Sequence, residues 1–193
     1  MGVPFLDQGP MRAEEYYAFT DTRPDGEKWE LIDGEPILNP TPSYLHQKIV
    51  RNLLVLLDGA ARRSRGGWEV LPGLGVRLSD TSIPEPDVLI RPDRFIDGQD
   101  CDDMIIAFEV LSPSTAMRDL RWKRTAYASL PTLRQYVVLA QDAVDILSFD
   151  CETGADGFSE RRFTRAGEDF DLPAIGVRAG LKEIYRGLGF EGI

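Results

Sequence analysis

One histidine and two cysteines among 193 residues exclude several kinds of chemistry at the outset. His46 has no second histidine beside which to hold zinc, and neither Cys101 nor Cys151 has a CxxC partner. A Ser-His-Asp arrangement has equally little support, because His46 stands outside any nucleophile motif. Ser112 and Ser114 are therefore nucleophiles in name only, and capping of a following helix by Ser114 or Thr115 is the better reading. No apolar run approaches the roughly 18 residues of a membrane helix. The start, "MGVPFLDQGPMRAEEYY", is acidic and lacks the apolar core of a signal peptide. Leu6 and Asp7 stand where a myristoylation signal wants Ser or Thr. Gly66-Gly67 and "PGLGV" match neither a phosphate-binding loop nor a dinucleotide fingerprint. These absences predict a cytoplasmic protein without membrane contact, its two cysteines free thiols rather than a disulfide.

Positive charge is also scarce: the net charge of −10 argues against a protein that coats nucleic acid indiscriminately. The excess is uneven, however. "DGQDCDD" and "EDFD" concentrate acid, whereas "ARRSRGG" and "RDLRWKR" are locally basic. At 42% hydrophobic and 28% charged, the composition is that of an ordinary folded chain. One domain over residues 1–193 is expected, with residues 1–28 as an N-terminal helical extension.

Periodicity orders the elements. "PMRAEEYYAF" predicts a short helix, and "KWELIDGEPIL" two strands turned at Asp33-Gly34. Ser43 is placed to cap a long helix to about Arg63, with Leu45, Ile49, Leu53, Leu56, Leu57 and Ala60 on its apolar face. "GWEVLPGLGVRLS" reads as two strands, "EPDVLIRP" as a short buried one, and "MIIAFEVL" as another. A helix over Ala116–Leu130 follows, then strands in "QYVVLA", "AVDILSFD" and "FSERRFTRAG", and a last helix in "AGLKEIYRGL". The class is α/β or α+β, a central sheet flanked by helices.

Within that pattern Glu109 is out of place. It lies in the middle of a strand that is otherwise apolar, and an isolated buried carboxylate costs several kcal/mol unless paired, protonated or metal-bound. Asp87, at the head of the preceding buried strand, would meet it if the two strands are neighbours. In the next helix, Ala116, Asp119, Leu120, Lys123, Tyr127 and Leu130 fall on one stripe, with Lys123 near its middle. Lys123 can pair with Asp119 one turn earlier, a local ion pair and nothing more. It can also extend its ammonium toward Glu109. Two hard-oxygen ligands and an amine form a sensible phosphodiesterase set. The carboxylates suit Mg²⁺ with waters and phosphate, and the amine would steady the water or the transition state.

The order of "WELIDGEPI", the His46 helix, "PEPDVLI", "FEVLSPST", "RDLRWKRTAY" and "LRQYVVL" resembles the Uma family of restriction-endonuclease-like proteins, within the PD-(D/E)XK nuclease superfamily. The resemblance covers most of the chain. It implies a restriction-endonuclease-like core with a central mixed sheet, and Mg²⁺- or Mn²⁺-dependent hydrolysis of DNA phosphodiester bonds. Asp87 and Glu109 would be catalytic and metal-binding, with the Val110 carbonyl a further ligand. Glu30 would stand at the site's edge, His46 and Asp119 would support the site, although a lone histidine more often serves structure, and the protein would form a homodimer. The superfamily lysine stands two residues after the acid; here that position is Leu111, so the resemblance assigns the amine to Lys123. Glu35 and Gln47 are weaker candidates for the site edge. Arg118, Arg121 and Arg124 either meet phosphate or solvate their helix, and Tyr127 and Tyr136 read as packing residues with a polar tip. The alternative is a nuclease-like fold retained as an inactive binding or assembly module, for which Leu111 and the acidic balance speak. A metal-free acid–base pair of Asp87 and Glu109 would leave Lys123 without a task.

Overall fold

In the computed structural model, residues 9–64, 66–111, 119–151, 158–190 and 193 are described. The first element, α1 (Ala13–Thr20), closes its opening turn through Glu15, whose carboxylate accepts the Arg12 N–H at 2.8 Å. It lies against the hairpin β1 (Trp29–Ile32) and β2 (Glu35–Leu38), with the Tyr16 hydroxyl donating to the Trp29 carbonyl at 2.8 Å. Asp33 and Gly34 both take positive φ, 51° and 85°, the left-handed pair that a two-residue hairpin turn demands. The turn is also crowded. A Cβ on Gly34 would lie 2.2 Å from the Pro10 side chain, so the entry to α1 packs directly on it.

The long helix α2 (Tyr44–Ser64) starts where its cap predicts, Ser43 Oγ accepting the His46 N–H at 3.1 Å. Strands β3 (Trp68–Pro72), β4 (Gly75–Val76), β5 (Val88–Pro92), β6 (Asp100–Cys101) and β7 (Ile106–Leu111) follow. A π-helical turn, Asp119–Lys123, runs into α3 (Arg124–Ala128). The rest is β8 (Gln135–Ala140), β9 (Ile146–Cys151), β10 (Phe158–Phe163), β11 (Asp169–Leu172), β12 (Val177–Gly180) and α4 (Leu181–Ile184).

Six strands form one mixed sheet in the order β10-β9-β8-β7-β5-β3; β7 and β8 are parallel and the other neighbours antiparallel. Strict alternation divides its side chains between two cores. Val88, Ile90, Phe108, Val110, Val137 and Leu139 pack with Ile49, Leu53 and Leu57 of α2. Leu89, Ala107, Tyr136 and Val138 pack on the opposite face with Tyr127 of α3 and Leu130 beyond it. The protein is thus the expected α+β arrangement, a central mixed sheet flanked by helices.

Three expectations change. The second strand predicted in "GWEVLPGLGVRLS" is only the two-residue β4, paired parallel with β6 outside the main sheet, because Gly73 at φ +53° turns the chain away. The C-terminal helix shrinks to α4. Ala179 and Gly180 belong to a β11–β12 hairpin that periodicity did not reveal, and Gly187 at φ +76° stops further winding. Of the helix expected over Ala116–Leu130, residues 116–118 lie outside the described residues, and the part from Asp119 to Lys123 is π-helical rather than α-helical. Both cysteines are free thiols, and burial pushes the Cys101 thiol up to about 11. No helix among the described residues is long and apolar enough to cross a membrane.

Candidate active site

Alternation along β7 turns Glu109 to the face opposite Phe108 and Val110, the face that packs against α3. The β5–β7 register pairs Val88 with Phe108, so Asp87, one residue before β5, stands across from Glu109. The two residues therefore stand side by side on neighbouring strands, and both line one cavity. The Val110 N–H donates to Asp87 Oδ2 at 2.8 Å and ties the head of β5 to the end of β7.

Lys123 closes the π-helical turn, and its neighbour Trp122 latches that turn to the hairpin by donating to Asp33 Oδ2 at 2.9 Å. The Lys123 ammonium, on a side chain only 3% exposed, lies 2.8 Å from Glu109 Oε1 and 2.8 Å from Glu30 Oε1. Glu30 is fully buried, and it also accepts the Glu85 N–H at 2.8 Å and an Asn39 amide proton at 3.0 Å. Burial alone would raise the Glu30 carboxyl, but the Lys123 charge and these hydrogen bonds hold it below its usual value. One turn past Lys123, the Tyr127 hydroxyl donates to Glu109 Oε1 at 3.2 Å.

A second group surrounds Asp87. Lys28 Nζ lies 3.3 Å from Asp87 Oδ1 and 3.3 Å from Glu85 Oε1, and His46 Nε2 lies 3.3 Å from Asp87 Oδ1. Burial would raise the Asp87 carboxyl; the His46 hydrogen bond, the Lys28 charge and the Val110 N–H outweigh it and keep Asp87 well below the carboxylate range. At Glu85 burial prevails, and its carboxyl is raised despite Lys28. Lys28 moves upward, since Asp87 and Glu85 more than offset its burial. Both groups open on one cavity of about 350 Å³, whose wall includes Lys28, Glu85, Asp87, Glu109, Val110 and Lys123.

The donor set suits a hard cation. Mg²⁺ is commonly held by one or two carboxylates, with waters and substrate phosphate completing its shell. Asp87 and Glu109 on one cavity wall meet that need, and no cysteine lines the cavity. Among the described residues no three His, Cys, Asp or Glu side chains are grouped to hold a metal by themselves.

Of the residues singled out from the sequence, Asp87, Glu109, Val110, Lys123, Glu30 and His46 converge here, and Gln47 lines the cavity. Glu30 is a buried partner of Lys123 rather than a carboxylate at the edge. Glu35 is exposed on the hairpin, Arg121 is exposed, and Arg124 sits 5.2 Å over the Phe149 ring. Tyr136 packs in the core, stacked on Phe149. The side chain of Asp119, together with Ser112, Ser114, Thr115 and Arg118, lies outside the described residues. Sequence reasoning missed Lys28, Asn39 and Glu85, and it read Tyr127 as a packing residue with a polar tip without placing that tip on Glu109. Two spacings carried a signal: Glu85 and Asp87 are two apart in an extended segment, and Tyr127 is four after Lys123 in a helix.

Comparison with known proteins bears on this geometry. Residues 13–179 match the family model Uma2, described as "Putative restriction endonuclease". An uncharacterized protein from Synechocystis is 28% identical over 196 residues, spanning 97% of this chain and 96% of its own. The crystal structure of a protein from Anabaena variabilis, titled a "putative nuclease belonging to DUF820", superposes with a TM-score of 0.71 at 14% identity. The match covers 91% of this chain and 98% of that one, so the two share a fold.

Proposed function

Because the chain belongs to the Uma2 family, we propose that it is an endonuclease of the PD-(D/E)XK type that hydrolyses DNA phosphodiester bonds with Mg²⁺ or Mn²⁺. The observation that carries this reading is the meeting of Asp87, Glu109 and Lys123 on one cavity. Asp87, Glu109 and the Val110 carbonyl are the groups that would hold the ion. Bound there, it would acidify a water and neutralise charge on the phosphoryl group.

The chain's own residues divide the remaining work. Lys123, clamped by Glu30, fixes the Glu109 carboxylate and sets a positive charge behind it, where charge builds on the phosphate in the transition state. His46 orients Asp87 through Oδ1. The first turn of α2 borders the cavity through Ser43, His46 and Gln47, and a helix N-terminus favours the approach of an anionic phosphate. DNA is the proposed partner, the cytoplasm the proposed location, and a homodimer would place one site on each strand.

Plasmid nicking in Mg²⁺ or Mn²⁺ tests this. Isosteric Glu109→Gln and Asp87→Asn suit the test better than alanine, which would open a hole beside buried charge. Each should reduce nicking by about 100-fold or more, with the fold verified by circular dichroism. Nicking at the wild-type rate by both variants would overturn the assignment.

A second reading has its own observation: Lys123 is almost wholly buried between two carboxylates, and Leu111 stands at the usual lysine position. An ion pair that only holds α3 to the hairpin would look the same. On that reading the fold is a binding or assembly module, and calorimetry with millimolar Mg²⁺ or Mn²⁺ gives no heat.

A further inference from the structure

The site holds two lysines, and they are held very differently. Lys123 lies 2.8 Å from each of its carboxylates and is 3% exposed. Lys28 lies 3.3 Å from Glu85 and from Asp87 and is 31% exposed. Charge-assisted hydrogen bonds ordinarily run about 2.7–2.9 Å, so the Lys28 contacts are loose. Its backbone is fixed, the carbonyl accepting the Asn39 N–H at 2.8 Å, which leaves movement to the flexible four-carbon stem.

The surroundings provide somewhere for the amine to go. Lys28 and Glu85 line both the site cavity and a neighbouring one of about 450 Å³. The second cavity is bordered by Asp25, Glu27, Gln99 and Tyr17, all able to accept hydrogen bonds from an ammonium.

We infer that Lys28 is a built-in cation that holds the Glu85–Asp87 pair until a divalent ion displaces it. Loading of the ion and release of the amine into the adjoining cavity are one event. The inference rests on the metal-dependent reading above and extends it to a residue with no role there. Asp87 Oδ1 is the shared atom: Lys28 neutralises it, and a dication bound about 2.1 Å from a carboxylate oxygen would repel an ammonium resting on the same atom. Lysine suits such an exchange, because a point charge on a flexible stem withdraws where a guanidinium fork would lock.

Calorimetric titration of the full chain with Mn²⁺ is the test. Lys28→Met removes the competing charge and should tighten Mn²⁺ binding by about tenfold or more, while Lys28→Arg keeps the charge and should bind no tighter than wild type. Equal or weaker binding by Lys28→Met, with heat in both proteins, overturns the displacement and leaves the metal-dependent reading standing. No heat in either protein overturns both. Because Lys28→Met strips two carboxylates of their cation and can unfold the chain, the wild-type protein supplies a second arm. Acetic anhydride should label Lys28 faster in saturating Mn²⁺ than without it, read by peptide mass spectrometry. An unchanged or slower rate overturns the displacement.

Discussion

The strand β5 has a buried charge cluster at each end, and the two are built on different plans. Near its C-terminal end Arg91, 1% exposed, clasps Asp103 with two bonds of 2.9 and 3.1 Å and donates to the Arg94 carbonyl at 2.8 Å. Glu69, its partner in the β3–β5 register, pairs with it as well. Guanidinium forks match carboxylates in a plane, so this cluster is closed and rigid. At the other end Asp87 meets an ammonium and an imidazole, each at 3.3 Å, on the wall of a cavity. Nearly the same charges thus serve two purposes. Bidentate pairing locks a strand in place, whereas single contacts beside open volume leave ligand positions that another group can take.

Three changes probe that contrast. The largest expected effect is at the closed end: Arg91→Met leaves Asp103 buried without its main partner and should cost about 3–5 kcal/mol in urea unfolding, with Mn²⁺ binding unaltered. A marked change in Mn²⁺ affinity would mean that the two ends of β5 are coupled.

Acid should come next. Burial would raise Asp87, Glu30 and Asp103, but their cationic partners hold all three below ordinary values. Their contribution to stability is therefore complete above the unfolded carboxylate range of about 4 and is lost as pH falls through the depressed folded values. Glu85 is raised by burial, and the sign reverses: its proton is held more tightly in the folded chain, and stability falls as pH rises through its folded value. Glu85→Gln should therefore gain stability relative to wild type as pH rises above the unfolded carboxylate range of about 4, as thermal melts would show. A difference that stays constant with pH would contradict this account of Glu85.

The smallest effect is expected at Tyr127→Phe, which deletes one hydrogen bond to Glu109 and keeps the ring in its core. About 1 kcal/mol should be lost, and Lys123 should retain its grip on Glu109. A much larger loss would mean that the hydroxyl, rather than the ammonium, supports that carboxylate.

Much of the fold was legible because its signals are local. Asp33-Gly34 dictates its turn through backbone sterics, Ser43 caps α2, and the alternation of "IAFEVL" already separates Phe108 and Val110 from Glu109. The hairpin of β11 and β12 escaped notice because its short strands are joined through Pro173–Ile175, without the two-residue signature of the first hairpin. The candidate site was read in outline. Glu109 stood out as a costly charge in an apolar strand, and Asp87 followed from strand adjacency. The meaning of Glu30 changed, since a glutamate on a four-residue strand looks exposed until another element covers it. Lys28 carried no signal at all.

By itself, then, the sequence determined which face of β7 Glu109 occupies, where the first hairpin turns and where α2 starts, because steric and periodic preferences act over a few residues. Tertiary structure alone decided what surrounds those charges. The hairpin meets the segment before β5 through reciprocal hydrogen bonds between Leu31 and Ile83, and the Glu85 N–H and Trp122 add further ties to it; together they set Glu30 beside Lys123 and Lys28 between Glu85 and Asp87. The energy of a buried charge depends on partners within a few ångströms in space, whatever their separation along the chain.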